Sequence, residues 1–436
     1  MDSTFFNLEQ LIREAGLTVP TQNHKKHIML VGTHAHQTTG YSKVTYHIIH
    51  ELAKLNRYQL SHFGFQKFME APPDYRPYPP DVNVYDPVSA EKTGAPQEMG
   101  FGYSQLPTYI RQQKPDVVII YNDAGVICQF LDKIDIQLSP EERQAYKLLI
   151  YLDQVYRIQR PALLQRIDRD THAYIAFTEY WKQILQAQGI QKTIGVLRHG
   201  FDPNQFQILN KKAMRKKHNI PDNAFVILNL NRNTPRKRHD IVVTAFAELV
   251  VRHPTKLIVL LAICDNGETG GFPLQEIFIR EVQRLNAIPQ QHAHKLMISS
   301  TPQTYTDEMI NELYSLSDIG ISAAEGEGFG LCNFEAMGVG IPQVVSNVGG
   351  LRDFCKNGYN AQTVEPKWST YLPANYSGIG GIADIIDSHD LALAAEEYLL
   401  DSDLRETHGR NARTTVLEYS WTKEVTGLVN IIDSFE

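Results

Sequence analysis

The chain has 436 residues, 42% hydrophobic and 21% charged, with 42 basic against 49 acidic side chains for a net charge of −7. That length allows two or three domains, and the composition excludes a disordered or fibrous chain. The mild acid excess argues against general nucleic-acid binding, which needs a basic footprint, and the longest apolar run, residues 257–264, is far short of a membrane span.

Residues 1–22 read as a short amphipathic helix, with Phe5, Leu8 and Ile12 at helical spacing and Pro20 as its stop. Docking on the core is the simpler reading; a peripheral membrane contact is the other, weakened by the scarcity of basic residues. Asp2, Glu9 and the lack of a long apolar stretch argue against a secretory signal, so a cytoplasmic protein is expected. Cys128, Cys264, Cys332 and Cys355 form no C-x-x-C pair and read as reduced thiols.

Residues 27–32 read as a buried strand, and from Ser42 the positions Val44, Ile48, Ile49, Leu52 and Leu55 follow a helix period. The loop between them, Gly32 to Ser42, has neither the G-x-G-x-x-G nor the G-x-x-x-x-G-K-[ST] pattern, so no dinucleotide fingerprint or P-loop is supported. His34 and His36 lack a third metal ligand and read as a solvated loop pair. Residues 71–80 carry five prolines and must be loop. Apolar runs at 117–121, 148–152 and 174–177 alternate with helical patterns, the signature of a parallel sheet with helices on both faces.

Around residues 203–222 the pattern breaks. Lys211, Lys212, Arg215, Lys216 and Lys217 gather there, and a solvated helix beside a linker is a simpler reading than a phosphate site. The alternation then restarts, with strands at 225–229, 257–263, 296–298, 319–321 and 343–345 and helices at 241–251 and near 307–315. Two successive doubly wound domains explain this order. Ligands in such folds bind at the carboxyl ends of the strands, here an interdomain cleft. Residues 366–381, with their Tyr, Gly and Pro, read equally as a functional loop or an inert insertion.

Three constellations carry chemistry. In the first, Glu327-Gly328-Phe329-Gly330-Leu331 leads from a strand end into a helix, and Glu335 lies eight residues after Glu327. The glycines admit close approach of a ligand. The amides of Phe329, Gly330 and Leu331 lie at a helix start, which favours anions. Two carboxylates at that spacing suit a ligand with hydroxyls at both ends and an anion between, the layout of a nucleoside-diphosphate sugar. In the second, Arg232, Arg236, Lys237 and Arg238 follow the strand at 225–229, where basic groups can neutralise a pyrophosphate. The third is the loop from Gly32 to Ser42, with Gly40 and Tyr41 at the helix start.

Together these resemble the retaining GT-B glycosyltransferases of family 4, the glycosyl transferases group 1 domain. The match runs through Glu327 to Met337, then Gly340-Ile341-Pro342-Gln343-Val344-Val345, then Gly349-Gly350-Leu351-Arg352-Asp353. Arg232 and Lys237 keep the spacing of the family's G-R-x-x-x-x-K, with Asn231 in place of the glycine; His199-Gly200-Phe201-Asp202 and Tyr419-Ser420-Trp421 match two further motifs. The resemblance covers roughly residues 27–436 and is specific in the carboxyl half, looser in the amino half.

The resemblance implies a GT-B fold, with residues 1–204 as the acceptor-side Rossmann-like domain, 205–418 as the donor domain and 419–436 as a helix crossing back. It implies a glycosyltransferase that moves a hexosyl unit with retention to a hydroxyl of a glycan, a lipid-linked glycan or a small molecule. Glu335 would hold the ribose, Arg232 and Lys237 the pyrophosphate, and Glu327 the transferred sugar. The amides of Phe329, Gly330 and Leu331, with Gly328, would line the donor site, and Gly40 would let the first helix approach the donor phosphate. The role of the family's acceptor-side histidine is unassigned here; Tyr41, Asn122, Asp123 and Asp153 are candidates on that side, Asp123 also as a catalytic group, although capping a helix or loop is the simpler reading of either aspartate. Glu325-Gly326 offers a register shifted by two, which the spacing to Glu335 disfavours. The leaving phosphate is expected to take the acceptor's proton. No cofactor or metal is expected, the partners being a nucleotide sugar and a carbohydrate or glycoconjugate acceptor. The competing readings are a nucleotide-sugar epimerase on the same fold and a non-catalytic nucleotide-sugar scaffold.

Overall fold

The computed structural model describes residues 25–70, 72, 75–299, 305–373 and 380–435. The helix expected over residues 1–22 lies outside the described residues. Seven strands form the first sheet: β1 (Lys26–Thr33), β2 (Tyr58–Phe65), β3 (Asn83–Tyr85), β4 (Val117–Asp123), β5 (Lys147–Asp153), β6 (Ala173–Ala176) and β7 (Ile194–Val196). All run parallel, in the order β3-β2-β1-β4-β5-β6-β7. A parallel sheet needs both faces covered, so its strands are apolar throughout; β1 is buried from His27 onward and β4 through Asn122.

The second sheet has six parallel strands: β8 (Phe225–Asn229), β9 (Ile258–Ala262), β10 (Leu296–Ile298), β11 (Ile319–Ser322), β12 (Gln343–Ser346) and β13 (Ala361–Val364). Their order is β10-β9-β8-β11-β12-β13. The strand order reverses between β1 and β4 in one sheet and between β8 and β11 in the other. Crevices open at such switch points, and the two face each other.

Six helices matter for the site: α1 (Gly40–Lys54), α2 (Ala124–Gln137), α3 (His239–Arg252), α4 (Asp307–Leu316), α5 (Leu331–Gly338) and α6 (Trp421–Asp433). α1 starts at a capping box, with the Thr39 side chain accepting from the Ser42 amide and Ser42 bonding back to Thr39. α6 is capped by Ser420 and packs against α1 and β7, with Trp421 stacked on His47 at a ring separation of 4.6 Å. The last helix thus ties the end of the chain to the first sheet.

The described residues of the 366–381 segment are not an idle insertion. β14 (Trp368–Leu372) and β15 (Gly381–Ile385) pair as an antiparallel hairpin. Asp384 takes Arg157 in two hydrogen bonds of 2.7 and 2.8 Å, and Leu372 and Ala383 share a small core with Val155 and Tyr156. The hairpin straps the second sheet to the loop after β5. The basic cluster near 211–217 is likewise more than a solvated face: Arg215 is buried and pairs with Asp318 at 2.7 Å, and Lys211 reaches the same carboxylate at 3.1 Å. All four cysteines are free thiols.

Candidate active site

A cavity of about 430 Å³ lies between the carboxyl ends of the two sheets. Its lining brings together every site residue expected from the sequence: Gly40 and Tyr41 of α1, Asn122 and Asp123 at the end of β4, Asp153 at the end of β5, Arg232 and Lys237 after β8, and Glu327, Gly328, Phe329, Gly330, Leu331 and Glu335 after β11. The two sequence halves meet there because both switch points face the same space.

The cations after β8 close on Glu327. Lys237 Nζ donates to Glu327 Oε2 at 2.6 Å and Arg236 Nη1 to the same oxygen at 3.1 Å; Arg236 also donates to the Gly326 carbonyl at 2.7 Å. Burial pushes the Glu327 carboxyl up, but Lys237 and Arg236 outweigh it and hold it below the usual range. Arg232, the most open of the three cations, forms no ion pair among the described residues. Three cations beside the single carboxylate of Glu327 make this corner of the cavity locally cationic, which suits a diphosphate.

α5 begins at Leu331, after Gly330 in the left-handed region (φ 95°) that glycine adopts without strain. Its first amides have no acceptors within the helix and face the cavity. The Phe329 ring turns away into the core, against Phe334 at 5.0 Å and Phe354 at 5.2 Å, so this residue offers its backbone to the cleft. Glu325, the alternative in the shifted register, is buried beside Tyr156 at 3.2 Å and Arg238 at 3.6 Å and does not line the cavity. Glu327 is the carboxylate that faces it.

Glu335 sits in a chain of charges that spans the cleft. Lys43 Nζ of α1 lies 2.5 Å from Glu335 Oε1 and 3.1 Å from Asp307 Oδ1. Arg76 Nη2 lies 2.9 Å from Asp307 Oδ2, and the Tyr314 hydroxyl donates to Glu335 Oε2 at 3.1 Å. Burial would raise the Asp307 carboxyl, yet Lys43 and Arg76 outweigh it and bring it to about 2. The two cations come from the first sheet's side and the two carboxylates from the second's. At Gly40 an added Cβ would meet only Leu331, at 3.6 Å, so the protein packing itself does not demand glycine; what lies in front of it is the cavity.

The acceptor-side candidates separate. Asp123 caps α2, with Oδ1 accepting from the Val126 amide at 3.0 Å, and Asn122 accepts from the Asp123 amide at 2.9 Å. One oxygen of the Asp123 carboxylate is thus engaged by the helix start, while the residue lines the cavity. Asp153 caps nothing; the Tyr41 hydroxyl donates to its Oδ2. The expectation of a solvated His34 and His36 is corrected, because His34 is buried and packs on Tyr78 at 5.3 Å. Burial, aided by His36, lowers His34 to about 3.

Lys43, Arg76, Asp307, Tyr314 and His199 are cavity residues that sequence reasoning missed. A lysine on the buried stripe of α1, three residues after Gly40, was the available signal for Lys43. His199 stands between Phe177 (4.8 Å) and Phe329 (4.4 Å), and burial lowers it to about 3.

Residues 210–372 match the family described as glycosyl transferases group 1. The second domain is similar to that family. A curated relative, D-inositol 3-phosphate glycosyltransferase of Streptosporangium roseum, is 27% identical over 175 residues, 39% of this chain and 38% of that protein. An uncharacterized glycosyltransferase of Methanocaldococcus jannaschii is 25% identical over 243 residues, 55% of this chain and 53% of that protein. The chain thus spans only part of the length of these relatives. Solved structures resemble nearly the whole chain. Sucrose-phosphate synthase of Thermosynechococcus elongatus has a TM-score of 0.69 at 16% identity, covering 94% of this chain and 98% of that one. Anabaena HepE, solved in complex with UDP and glucose, has 0.67 at 15% identity, covering 94% and 100%. The fold is GT-B: two parallel-sheet domains facing each other across the cleft.

Proposed function

We propose that this protein is a retaining glycosyltransferase that moves a hexosyl unit from a nucleotide-diphosphate sugar to a hydroxyl of a carbohydrate, glycoconjugate or small-molecule acceptor. The observation that carries the reading is the set of three cations, Arg232, Arg236 and Lys237, gathered around Glu327 opposite the start of α5. In this reading the diphosphate lies on those cations and on the first amides of α5, and Glu335 receives the ribose hydroxyls in place of Lys43. Glu327 receives hydroxyls of the sugar.

The chemistry follows from the charges. As the bond from the anomeric carbon to the diphosphate lengthens, negative charge builds on the leaving oxygen, and fixed cations already aimed there stabilise it without reorganising. These side chains supply the electrostatic role that a divalent ion fills elsewhere, so turnover is expected to survive EDTA. Closure of the two domains excludes water. UDP-sugars are the first donors to try, since HepE was solved with UDP and glucose. The test is release of nucleoside diphosphate from a panel of nucleotide sugars with polyol and sugar acceptors, with the anomeric configuration of the product read by NMR. Acceptor-dependent release supports the reading. Conversion of the nucleotide sugar without an acceptor would favour an epimerase, and no turnover with retained binding would favour a scaffold.

A further inference from the structure

Trp181 belongs to the first domain, on the helix Glu179–Ala187 that follows β6, and it is buried. Thr178 caps that helix, its hydroxyl oxygen accepting from the Trp181 amide at 3.2 Å. The indole reaches the other domain: Nε1 donates to the Gly328 carbonyl at 2.6 Å. An indole offers one N–H and no acceptor, so a buried one is satisfied by a single partner. Here the partner is a main-chain oxygen of the loop that carries Glu327. Trp181 itself does not line the cavity.

The Gly328 carbonyl and the Phe329 N–H are the two ends of one peptide unit. Such a unit is planar and trans, so its C=O and N–H point in opposite directions. Holding the oxygen on Trp181, outside the cavity, therefore turns the Phe329 N–H toward the cavity that both loop residues line. That N–H has no acceptor among the described residues. Two glycines form the seat. A Cβ at Gly349 would meet the indole at 2.9 Å, and a Cβ at Gly350 would run into the Gly328 oxygen. The Gly350 amide donates to the Glu327 carbonyl at 2.8 Å. Consecutive carbonyls of the loop are thus held, one from its own domain and one from the other. Arg198 on Asp353 at 2.7 Å, and Arg352 over the Tyr180 ring at 5.3 Å, tie neighbouring segments together across the same seam.

We propose that Trp181 is a positioning residue whose indole N–H sets the Gly328–Phe329 peptide so that the Phe329 amide meets the donor phosphate next to the sugar. The proposal rests on the glycosyltransferase reading. Phe329 is two residues from Glu327 and six from Glu335, so its amide falls on the sugar's side of the diphosphate. Trp181 and Gly328 lie on different domains, so this amide is aimed only while the domains are closed. The leaving group then gains its full set of fixed donors only once closure has excluded water.

The test is calorimetry on the whole protein with UDP, GDP and ADP, each beside its monophosphate, weak monophosphates being read by displacement of the diphosphate. Wild type should favour at least one diphosphate over its monophosphate. Trp181→Phe keeps an apolar ring and lacks the N–H. Its affinity for that diphosphate should fall about tenfold, the scale of one hydrogen bond to a charged group, with the monophosphate within about twofold of wild type. Benzothienylalanine at position 181 keeps the shape of the indole and puts sulfur in place of the N–H. It should show the same selective loss with an unchanged melting point, and it decides the matter where Trp181→Phe folds poorly. A purely structural role would weaken both nucleotides alike. Equal loss for the two, or an unchanged preference for the diphosphate in a folded variant, would overturn the proposal. If wild type binds a diphosphate no better than its monophosphate, the proposal fails and nucleotide binding by the cleft stands. If folded wild type binds none of the six, the glycosyltransferase reading itself fails.

Discussion

Lys43→Met removes the charge at the centre of the cross-cleft network and keeps the length of the side chain. The Lys43 and Glu335 side chains are 9% and 5% exposed, so neither ion has water to turn to. Breaking a buried pair by removing one partner costs about 3–5 kcal/mol when the remaining charge is uncompensated. Here compensation is partial. Asp307 keeps Arg76 at 2.9 Å and Gln205 at 2.6 Å, and Glu335 keeps the Tyr314 hydroxyl at 3.1 Å. The expected loss is therefore about 2–3 kcal/mol, below that range. At roughly 2–4 °C per kcal/mol for domains of this size, the melting midpoint should fall by about 4–12 °C. The assay is thermal unfolding followed by circular dichroism at pH 7.5 and pH 5. Burial already raises the Glu335 carboxyl and Lys43 opposes the rise; without Lys43 it rises further. A carboxyl raised in the folded state destabilises above its folded value, and the penalty is relieved as pH falls through that value. The gap between variant and wild type should therefore narrow at pH 5. An unchanged midpoint at pH 7.5, or a gap that ignores pH, would refute the network as a stabilising contact.

Other outcomes follow from single contacts. Gly328→Ala places a Cβ against Asp153 and Phe177; it should weaken nucleotide-sugar binding and open the cleft, read as a larger radius of gyration by small-angle scattering. Lys237→Met should lower turnover on the order of 10²-fold, the scale for losing one oxyanion-type donor, with a smaller change in KM. Asp123→Ala should cost about 0.5–2 kcal/mol by loss of a cap, whereas Asp123→Asn, an equally good cap, should melt near wild type; a large loss of turnover in Asp123→Asn with normal stability would put Asp123 in the chemistry.

The sequence made the second domain legible because its site is local. Glu327 to Glu335 lies on one loop and one helix, and the cations follow one strand, so spacing alone carries most of the geometry. The core strands were legible for a related reason: a parallel strand covered on both faces is a continuous apolar run, as in β4 and β8. Less was visible where partners come from far apart. Lys43, Arg76, Asp307 and Glu335 converge from four separate segments, and no local pattern announces the meeting. β2 was missed because its sequence, YQLSHFGF, mixes polar and apolar residues although all but one of its positions is buried. The hairpin of β14 and β15 escaped because exposed residues such as Trp368 and Tyr371 lie on it and its anchoring partner, Arg157, lies in the other half of the chain. Asp123 and Asp153 were indistinguishable until the helix after one and the open cleft beside the other were seen.

The central claim is that the cleft receives a nucleotide-diphosphate sugar on the cations that follow β8. Calorimetric titration of nucleotide sugars into wild type and Arg232→Ala, with EDTA present, tests it most directly, because Arg232 makes no ion pair among the described residues whose loss would disturb the fold. The account predicts that wild type binds at least one nucleotide sugar without metal and that Arg232→Ala, with an unchanged melting point, binds it at least tenfold more weakly. Binding that is indifferent to Arg232, or a folded wild type that binds no nucleotide sugar, would contradict it.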